Sequence, residues 1–246
     1  AKLAHKALHH ADRVVVIGRC MARRLTYKGL SPKNITMIPN WPNSELIQQP
    51  IHENSAAHKT TPARHYSDIS KPFEDQLKTA PKFRVLYAGT LGLAHPYATI
   101  IDAAKILKES APEIEFVFVG DGAGFEKLAK ERENHSLENM RFLPFQPAEN
   151  LKQLMESGDV HLISMSNDAA GFLVPSKLYS ALAAHRPCLF IGPEASEAAK
   201  VIQDFKAGTI IPHGKAQDLA ARIKHYRTNA REWHAACDGA RAAAEI

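Results

Sequence analysis

Short apolar runs alternate with longer amphipathic stretches along most of the chain, and this alternation predicts a parallel α/β fold. From Phe83 onward, the apolar runs suited to buried strands are 83–88, 114–119, 140–143, 160–164, 188–191 and 208–211. The stretches with helical spacing between and after them are 96–108, 125–132, 149–156, 176–184, 195–205 and 216–226. Strands and helices that alternate at this spacing indicate right-handed βαβ units and a doubly wound parallel sheet.

The first 45 residues repeat this alternation on a smaller scale, with predicted helices over 2–11 and 20–28 and strands over 14–17 and 35–38. The following segment, 44–82, has little periodicity and is predicted to be a linker or surface insertion. Its histidines, His52, His58 and His65, lack the spacing of metal ligands, so we interpret them as solvated loop residues.

The composition excludes several classes of protein. Hydrophobic residues make up 45% and charged residues 23% of the 246 residues, as in ordinary globular proteins. The formal charge of +5 is modest and its basic residues are scattered, so nucleic-acid binding is not expected. No apolar run reaches the roughly 18 residues of a membrane-spanning helix. Cys20, Cys188 and Cys237 form no C-x-x-C pair, and no cluster of Asp residues suggests a metal.

Two glycine-rich loops follow predicted strands. Gly89-Thr90-Leu91-Gly92 follows the first strand of the regular region, and Gly120-Asp121-Gly122-Ala123-Gly124 follows the second. Glycines let the backbone turn tightly and approach a ligand, and the next helix directs free N–H groups to the same place, which suits phosphate. A purely structural turn is the alternative. The second loop differs in spacing from the dinucleotide fingerprint G-x-G-x-x-G, so a Rossmann dehydrogenase is disfavoured.

A third loop, 171–179, leads into a helix whose start is marked by Pro175 and Ser176. Lys177 lies in the first turn, where a cation opposes the helix dipole. An anion bound between Lys177 and the helix N–H groups would remove this mismatch, whereas an exposed lysine without a ligand is the alternative. Parallel sheets bind ligands beyond the carboxyl ends of their strands, at a topological switch point, so the three loops are expected to meet there.

The segment Pro175-Ser176-Lys177-Leu178-Tyr179, followed by 182–184 and Pro187, resembles the sugar-nucleotide motif of family 4 glycosyltransferases with the GT-B fold. More narrowly, it is similar to the bacterial exopolysaccharide, colanic-acid and O-antigen group. Further matching pieces lie in the same order at 11–14, 38–41, 87–92, 119–122 and 142–147.

The resemblance implies a domain organisation. A complete Rossmann-like, doubly wound C-terminal domain would occupy 83–246, and 1–43 would be the remnant of an N-terminal Rossmann-like acceptor domain, with 44–82 between them. The chain opens with Ala inside a predicted helix and ends in an Ala-rich helical pattern over 241–246, so we expect missing residues upstream.

The resemblance also implies a site for a nucleotide-diphosphate sugar, which is a substrate, with no cofactor and no metal. Lys177 would be the catalytic cation that neutralises the leaving diphosphate, and Glu197 would bind a ribose or sugar hydroxyl. The other implied donor-binding residues are Gly89, Thr90, Leu91, Gly92, Gly120, Asp121, Gly122, Leu143, Pro144, Phe145, Val174, Pro175, Ser176 and Leu178.

Several positions depart from the family pattern. Phe172 and Ser180 stand where two glutamates are common, and Thr90 and His95 replace an Arg and a Lys that often follow the first strand. His185 stands where glycine is usual and is expected to strain the end of its helix. These changes affect the expected donor affinity more than the expected fold.

The activity implied by the resemblance is retaining transfer of a sugar to a lipid-linked or polysaccharide acceptor. It would take place in the cytoplasm at the inner face of the plasma membrane, with peripheral membrane contact. This chain would be a fragment that carries the donor site and is inactive alone. One alternative is a non-catalytic nucleotide-sugar-binding subunit that pairs with a separate acceptor-domain protein. Another is a nucleotide-sugar epimerase, for which these loops lack the expected carboxylate pairs.

Overall fold

The computed structural model describes residues 2–41, 46, 83–92 and 95–245, which form two parallel sheets with their helices. The strands are β1 (Val14–Val16), β2 (Ile35–Met37), β3 (Phe83–Ala88), β4 (Ile114–Val119), β5 (Met140–Leu143), β6 (Val160–Ser164), β7 (Cys188–Ile191) and β8 (Gly208–Ile211). The helices are α1 (Lys2–His10), α2 (Arg19–Tyr27), α3 (Ala98–Ser110), α4 (Ala123–Asn134), α5 (Leu151–Glu156), α6 (Ser176–Ala183), α7 (Glu197–Phe205), α8 (Ala216–Thr228) and α9 (Ala230–Ala244). Short 3-10 turns cover Pro32–Asn34, Ala148–Asn150 and Asn167–Ala169.

The predicted doubly wound sheet is confirmed. Its six strands are all parallel and lie in the order β5-β4-β3-β6-β7-β8. The central strand β3 pairs with β4 on one side, where Val85 lies opposite Phe116, and with β6 on the other, where Val85 lies opposite Val160. The chain winds outward from β3 to β5 and then returns to β6. The switch point therefore lies between β3 and β6, and the loops after these strands flank it.

Alternate residues of the central strands pack into separate cores on the two faces of the sheet, because side chains along a strand point to opposite sides. Tyr87 and Phe118 pack into the core that faces α3, α4 and α8. Leu86 and Val119 pack on the other face with Leu154 of α5. Burial of each large apolar side chain contributes about 1.5–3 kcal/mol. The strands are consequently held in place from both faces.

An aromatic cluster lies directly beneath the carboxyl ends of β3, β4 and β5. The rings of Phe118 and Phe142 stack with their centroids 5.2 Å apart. The ring of Phe125, from α4, lies edge-on to Phe118 at 6.4 Å, and Tyr87 lies 5.8 Å from Phe118. Such pairs contribute about 0.5–1.5 kcal/mol beyond the area they bury. The cluster gives the loops above it a rigid base.

Residues 2–41 have the helix, strand, helix, strand order predicted from the sequence, and β1 and β2 pair in parallel with Val14 opposite Ile35. Of the predicted linker 44–82, Leu46 alone is described, and it packs against Met155 and Ala184. The other residues of that segment, including the three histidines named above, lie outside the described residues.

The helix end at His185 is strained in the way that the sequence predicts. His185 has a φ of +53°, in the left-handed region that favours glycine. Its N–H donates to the carbonyl of Leu182 at 2.9 Å, and the N–H of Arg186 donates to that of Ala181 at 3.2 Å. These two bonds form a Schellman end to α6. Histidine fills the glycine position at a cost of about 1 kcal/mol.

Candidate functional site

Two glycine turns meet at the carboxyl ends of β3 and β4. The N–H of Gly89 donates to the carbonyl of Val119 at 2.7 Å, and a Cβ added to Gly120 would lie 2.4 Å from the carbonyl oxygen of Gly89. Gly89 has a φ of +110° and Gly120 a φ of +143°, which side chains rarely permit. At Gly89 and Gly120 the two turns are therefore in direct backbone contact.

Leu91 joins the same two loops further along. Its N–H donates to the carbonyl of Asp121 at 2.9 Å, and its own carbonyl accepts from the N–H of Gly124 at 2.9 Å. The leucine side chain is fully buried. The Asp121 side chain is exposed and accepts from the N–H of Gly122 at 2.6 Å. The predicted phosphate loops thus form one continuous backbone surface.

Helix α6 begins beside this surface with free N–H groups. Pro175 precedes its first residue, Ser176, and no side chain caps this end. The first turn holds no acidic residue, and the helix spans eight residues, enough for a dipole. The predicted start at Ser176 is confirmed, although the residue in the capping position is Pro175.

Lys177 reaches across the switch point from α6 to the loop after β3. Its Nζ donates to the carbonyl oxygen of Thr90 at 2.8 Å and lies 5.1 Å from the centroid of the Tyr87 ring. A Cβ added to Gly89 would lie 3.2 Å from Cε of Lys177. The structure therefore brings together the glycine turns and the lysine that the sequence singled out.

The ammonium group of Lys177 is half withdrawn from water. Burial lowers the pKa of Lys177 below its usual value. Its hydrogen-bond partner is the carbonyl oxygen of Thr90. That oxygen also accepts from the hydroxyl of Tyr87, at 3.1 Å. A partly desolvated cation with one neutral partner is poorly compensated. An anion at this place would restore the lost stabilisation.

His95 belongs to the same switch point. Its Nδ1–H donates to the carbonyl oxygen of Ser164, the last residue of β6, at 2.6 Å. Burial lowers the pKa of His95, the nearby charge of Lys177 lowers it further, and the bond to Ser164 acts in the opposite direction. Sequence reasoning treated His95 only as a departure from the family pattern. Its position in the loop after β3 was the signal that could have identified it.

Several predicted site residues direct their side chains into the cores. Leu91, Leu143 and Leu178 are at most 2% exposed, and Val174 is also buried. Leu143 ends β5, Leu91 lies in the loop after β3, and Val174 and Leu178 flank the start of α6, so their main chains lie at the candidate site while their side chains are buried. Any contact of these four residues with a ligand would come from main-chain groups.

The segment after β5 reaches the rim of the same loops. The carbonyl of Leu143 accepts from the N–H of Gly120 at 3.1 Å, which ties this strand end to the second glycine loop. Pro144 is half-buried, and the ring of Phe145 is 54% exposed. An exposed aromatic ring beside the loops offers an apolar surface to a ligand.

The carboxylate of Glu197 forms hydrogen bonds with the N-terminal segment. It accepts from Nε of Arg19 at 2.7 Å and from the N–H of Cys20 at 3.1 Å. Glu197 is 6% exposed, and a Cβ added to Gly18 would lie 2.6 Å from its Cγ. The carboxylate therefore neutralises the positive end of α2. Its predicted contact with a ribose or sugar hydroxyl stays a prediction.

Replacing Glu197 by alanine is expected to release the start of α2. A hydrogen bond to a charged group contributes about 1.5–3 kcal/mol, so exchange of the Cys20 amide should accelerate at least ten-fold. Hydrogen exchange followed by mass spectrometry measures this change, and Glu194→Ala, an exposed carboxylate in the preceding turn, is the matched control. Equal protection of α2 in both variants would show that the contact does not hold this segment.

Phe172, at one of the missing glutamate positions, is paired with the N-terminal segment instead. The guanidinium of Arg24 lies 3.6 Å from the centroid of its ring, and a Cβ added to Gly171 would lie 3.5 Å from Cδ of Arg24. The sequence did not suggest this contact, because the two residues lie far apart along the chain and neither shows a motif.

Two further features are absent from the described ranges. Over residues 2–41, 46, 83–92 and 95–245, no group of three His, Cys, Asp or Glu side chains is arranged to hold a metal ion. Among those same residues, no helix has the length and apolar character required to cross a bilayer.

Comparisons with known proteins agree with the resemblance seen in the sequence. Residues 68–240 match the family model described as glycosyl transferases group 1. A putative colanic acid biosynthesis glycosyl transferase of Escherichia coli, WcaI, is 29% identical over 198 residues, which are 80% of this chain and 45% of that protein. A probable glycosyltransferase of Pseudomonas aeruginosa, WbjE, is 25% identical over 87% of this chain and 49% of its own length.

The fold is shared with solved structures. HepE of Anabaena, crystallised with UDP and glucose, superposes with a TM-score of 0.73 at 21% identity, covering 99% of this chain and 61% of that one. The predicted GT-B type of Rossmann-like domain is thereby confirmed. The chain spans about half the length of the curated relatives it matches.

Proposed function

Because the chain belongs to the glycosyl transferases group 1 family, we propose that it carries the nucleotide-sugar donor site of a retaining glycosyltransferase. The observation that carries the proposal is the position of Lys177, whose Nζ lies 2.8 Å from the carbonyl oxygen of Thr90 across the switch point. A cation, the free N–H groups of α6 and two glycine turns converge there, which suits a diphosphate.

The proposed chemistry uses these groups to stabilise the leaving group. Cleavage of the anomeric C–O bond transfers the sugar to the oxygen of an acceptor hydroxyl, and the products are the glycoside, the nucleoside diphosphate and the proton of that hydroxyl. Negative charge develops on the diphosphate as the bond breaks. Lys177 and the start of α6 lie where they can bind this charge, and such preorganised groups contribute several kcal/mol, about 3 for a single donor.

The remaining donor contacts follow from the loops. Backbone groups of 89–92 and 120–122 would lie against the phosphates and the sugar, because these turns carry few side chains above the aromatic cluster. The exposed ring of Phe145 would stack against the nucleobase. No metal or cofactor takes part in the proposed reaction.

We propose that the parent enzyme works in cell-surface polysaccharide biosynthesis, because the relative WcaI is named for the biosynthesis of colanic acid. Its acceptor would be lipid-linked or part of a growing glycan, bound at the cytoplasmic face of the membrane by a further domain. Residues 1–43 would be the end of that domain, and this chain alone would bind donor without transferring sugar.

Nucleotide binding is expected to raise the melting temperature of the protein. A ligand at 100 times its Kd stabilises the native state by about 2.7 kcal/mol, or roughly 5–10 °C for a chain of this size. A thermal-shift screen with UDP, GDP, UDP-glucose and GDP-mannose measures this, with uridine and guanosine as controls that lack phosphate and EDTA to exclude a metal requirement. Absence of a shift with every diphosphate would refute the proposed donor site.

A further inference from the structure

We infer that His95 is a second, proton-dependent cation of this site, which takes up a proton when a nucleotide-sugar diphosphate binds and then donates through Nε2–H to a phosphate oxygen. This inference rests on the proposed function, since it needs the diphosphate to lie beside Lys177. In addition to Lys177, the donor site would then contain His95, and donor affinity would depend on pH.

The hydrogen bond of His95 determines which ring nitrogen is free. The carbonyl oxygen of Ser164 can only accept, so Nδ1, 2.6 Å away, carries the hydrogen. In the neutral ring the other nitrogen, Nε2, is therefore a bare acceptor. Protonation adds a hydrogen at Nε2 and leaves the bond to Ser164 intact. The ring can change its charge without changing its position.

The ring is anchored to the β6 side of the crevice. Ser164 is fully buried, and its hydroxyl donates to the carbonyl of Pro96, the residue after His95. On the β3 side, Gly92 lies next to the ring, and a Cβ added to it would be 4.0 Å from Cδ2 of His95. His95 is therefore held between the two loops that flank the switch point.

Within the described part of the chain, helix α6 and the end of β6 supply the groups that face this position. Helix α6 contributes Lys177, whose charge acts on His95. The end of β6 contributes the carbonyl of Ser164, and the next carbonyl, that of Met165, accepts from Nε2–H of His213 in the loop after β8 at 2.9 Å. The field at His95 without a ligand is thus dominated by one positive charge.

Burial, with a smaller contribution from this field, keeps the imidazole neutral without a ligand. Burial and the charge of Lys177 both lower the pKa of His95 below its usual value, so the ring is mostly uncharged at pH 7. A diphosphate beside Lys177 places two negative charges in the crevice and reverses the sign of the local field. An opposite charge within about 4–6 Å raises the pKa of a histidine by about 1–3 units.

The direction of the pH dependence follows from linkage. Because the bound state has the higher pKa for His95, the added affinity is fully present below the pKa of the free protein. It is lost as the pH rises through the pKa of the complex. With the diphosphate charge close to the ring, the affinity should fall roughly ten-fold between pH 6 and pH 8.

Isothermal titration calorimetry with UDP-glucose and GDP-mannose tests the inference. These donors carry diphosphate diesters that do not titrate in this range, unlike the terminal phosphate of UDP, whose second pKa lies near 6. Titrations at pH 7 in buffers of different ionisation enthalpy should show uptake of about 0.5 proton per donor bound. The association constant should fall about ten-fold from pH 6 to pH 8.

Two histidine variants locate the proton. His95→Asn retains a side-chain donor for the Ser164 carbonyl but has nothing in place of Nε2, so it should abolish the proton uptake and bind equally at both pH values. His213→Gln is the matched control beside the same strand end, because the glutamine amide can still donate to the Met165 carbonyl as Nε2–H of His213 does. It should retain both the proton uptake and the dependence of affinity on pH. Proton uptake that survives in His95→Asn, or that disappears in His213→Gln alone, overturns the assignment to His95.

The experiment separates the two proposals. If neither donor binds at any pH, the donor site itself fails and the role of His95 fails with it. If a donor binds with the same affinity from pH 6 to pH 8 and without proton uptake, the donor site stands and the role of His95 is refuted.

Discussion

Replacing Gly120 by alanine is expected to lower the free energy of unfolding by about 4 kcal/mol and to abolish measurable donor binding. A Cβ at this position would lie 2.4 Å from the carbonyl oxygen of Gly89, a backbone atom that cannot rotate away. The φ of +143° at Gly120 adds conformational strain for any other residue. To accommodate the methyl group, the two glycine turns must separate by about 1 Å.

Chemical denaturation by urea measures the loss of stability, and the nucleotide screen measures the loss of binding. Gly214→Ala is the matched control, since Gly214 also has a positive φ, +79°, but a Cβ there would meet no atom within 4 Å. The free energy of unfolding of that variant should fall by only about 1 kcal/mol. If the free energy of unfolding falls equally in the two variants, the contact between the glycine turns does not contribute to stability.

Replacing Lys177 by methionine should weaken donor binding by about 10–100-fold, because a hydrogen bond from a charged donor contributes about 1.5–3 kcal/mol. Methionine retains an unbranched apolar stem beside Gly89 and Tyr87, and removes the charge together with its hydrogen bond to the carbonyl of Thr90. Calorimetry with UDP-glucose and GDP-mannose measures the change. Lys130→Met, an exposed lysine on α4, is the control and should bind as the unmodified protein does.

The same substitution should leave the protein at least as stable without ligand, which distinguishes a binding residue from a structural one. The pKa of Lys177 is lowered by burial, so its charged form is disfavoured in the native state. Removing that charge is expected to raise the free energy of unfolding by up to about 1 kcal/mol. A loss of stability in Lys177→Met together with unchanged donor affinity would show that the lysine serves the fold.

The strands of the main sheet could be predicted from the sequence because both faces of that sheet are buried. Buried parallel strands read as continuous apolar runs, and the runs from Phe83 to Ile211 match the observed strands at both ends. The observed helix ends differ from the predicted ends by up to two residues. Caps and tertiary contacts set the end residues of a helix, and hydrophobic periodicity does not report them. For helix α9, the sequence analysis predicted only the helical pattern at its C-terminal end. Its start was missed, although Asn229 caps that start by accepting from the N–H of Glu232.

Local chemistry also identified part of the site. A cation at the start of α6 opposes the helix dipole, and glycines after β3 and β4 mark places where a backbone must pass closely. Both signals lie within a few neighbouring residues. They were sufficient to select Lys177, Gly89 and Gly120 before any contact was known.

The role of each side chain was decided by contacts between distant segments. Glu197 and Phe172 looked like donor-site positions, yet the structure pairs them with Arg19 and Arg24, which lie more than 140 residues earlier in the chain. The orientation of the His95 ring is set by its hydrogen bond to the carbonyl of Ser164, which lies on another strand. A sequence pattern predicts interactions between residues that are near each other along the chain, and it does not predict contacts between distant segments.

The amino-acid sequence by itself therefore determined the strands, their parallel arrangement and the loops at which a diphosphate would bind, because apolar periodicity, glycine and helix dipoles act locally. The tertiary structure alone decided which charges face one another at those loops. Electrostatic interactions depend on distance in space and on burial, and neither quantity exists until the sheet has brought β3 and β6 side by side.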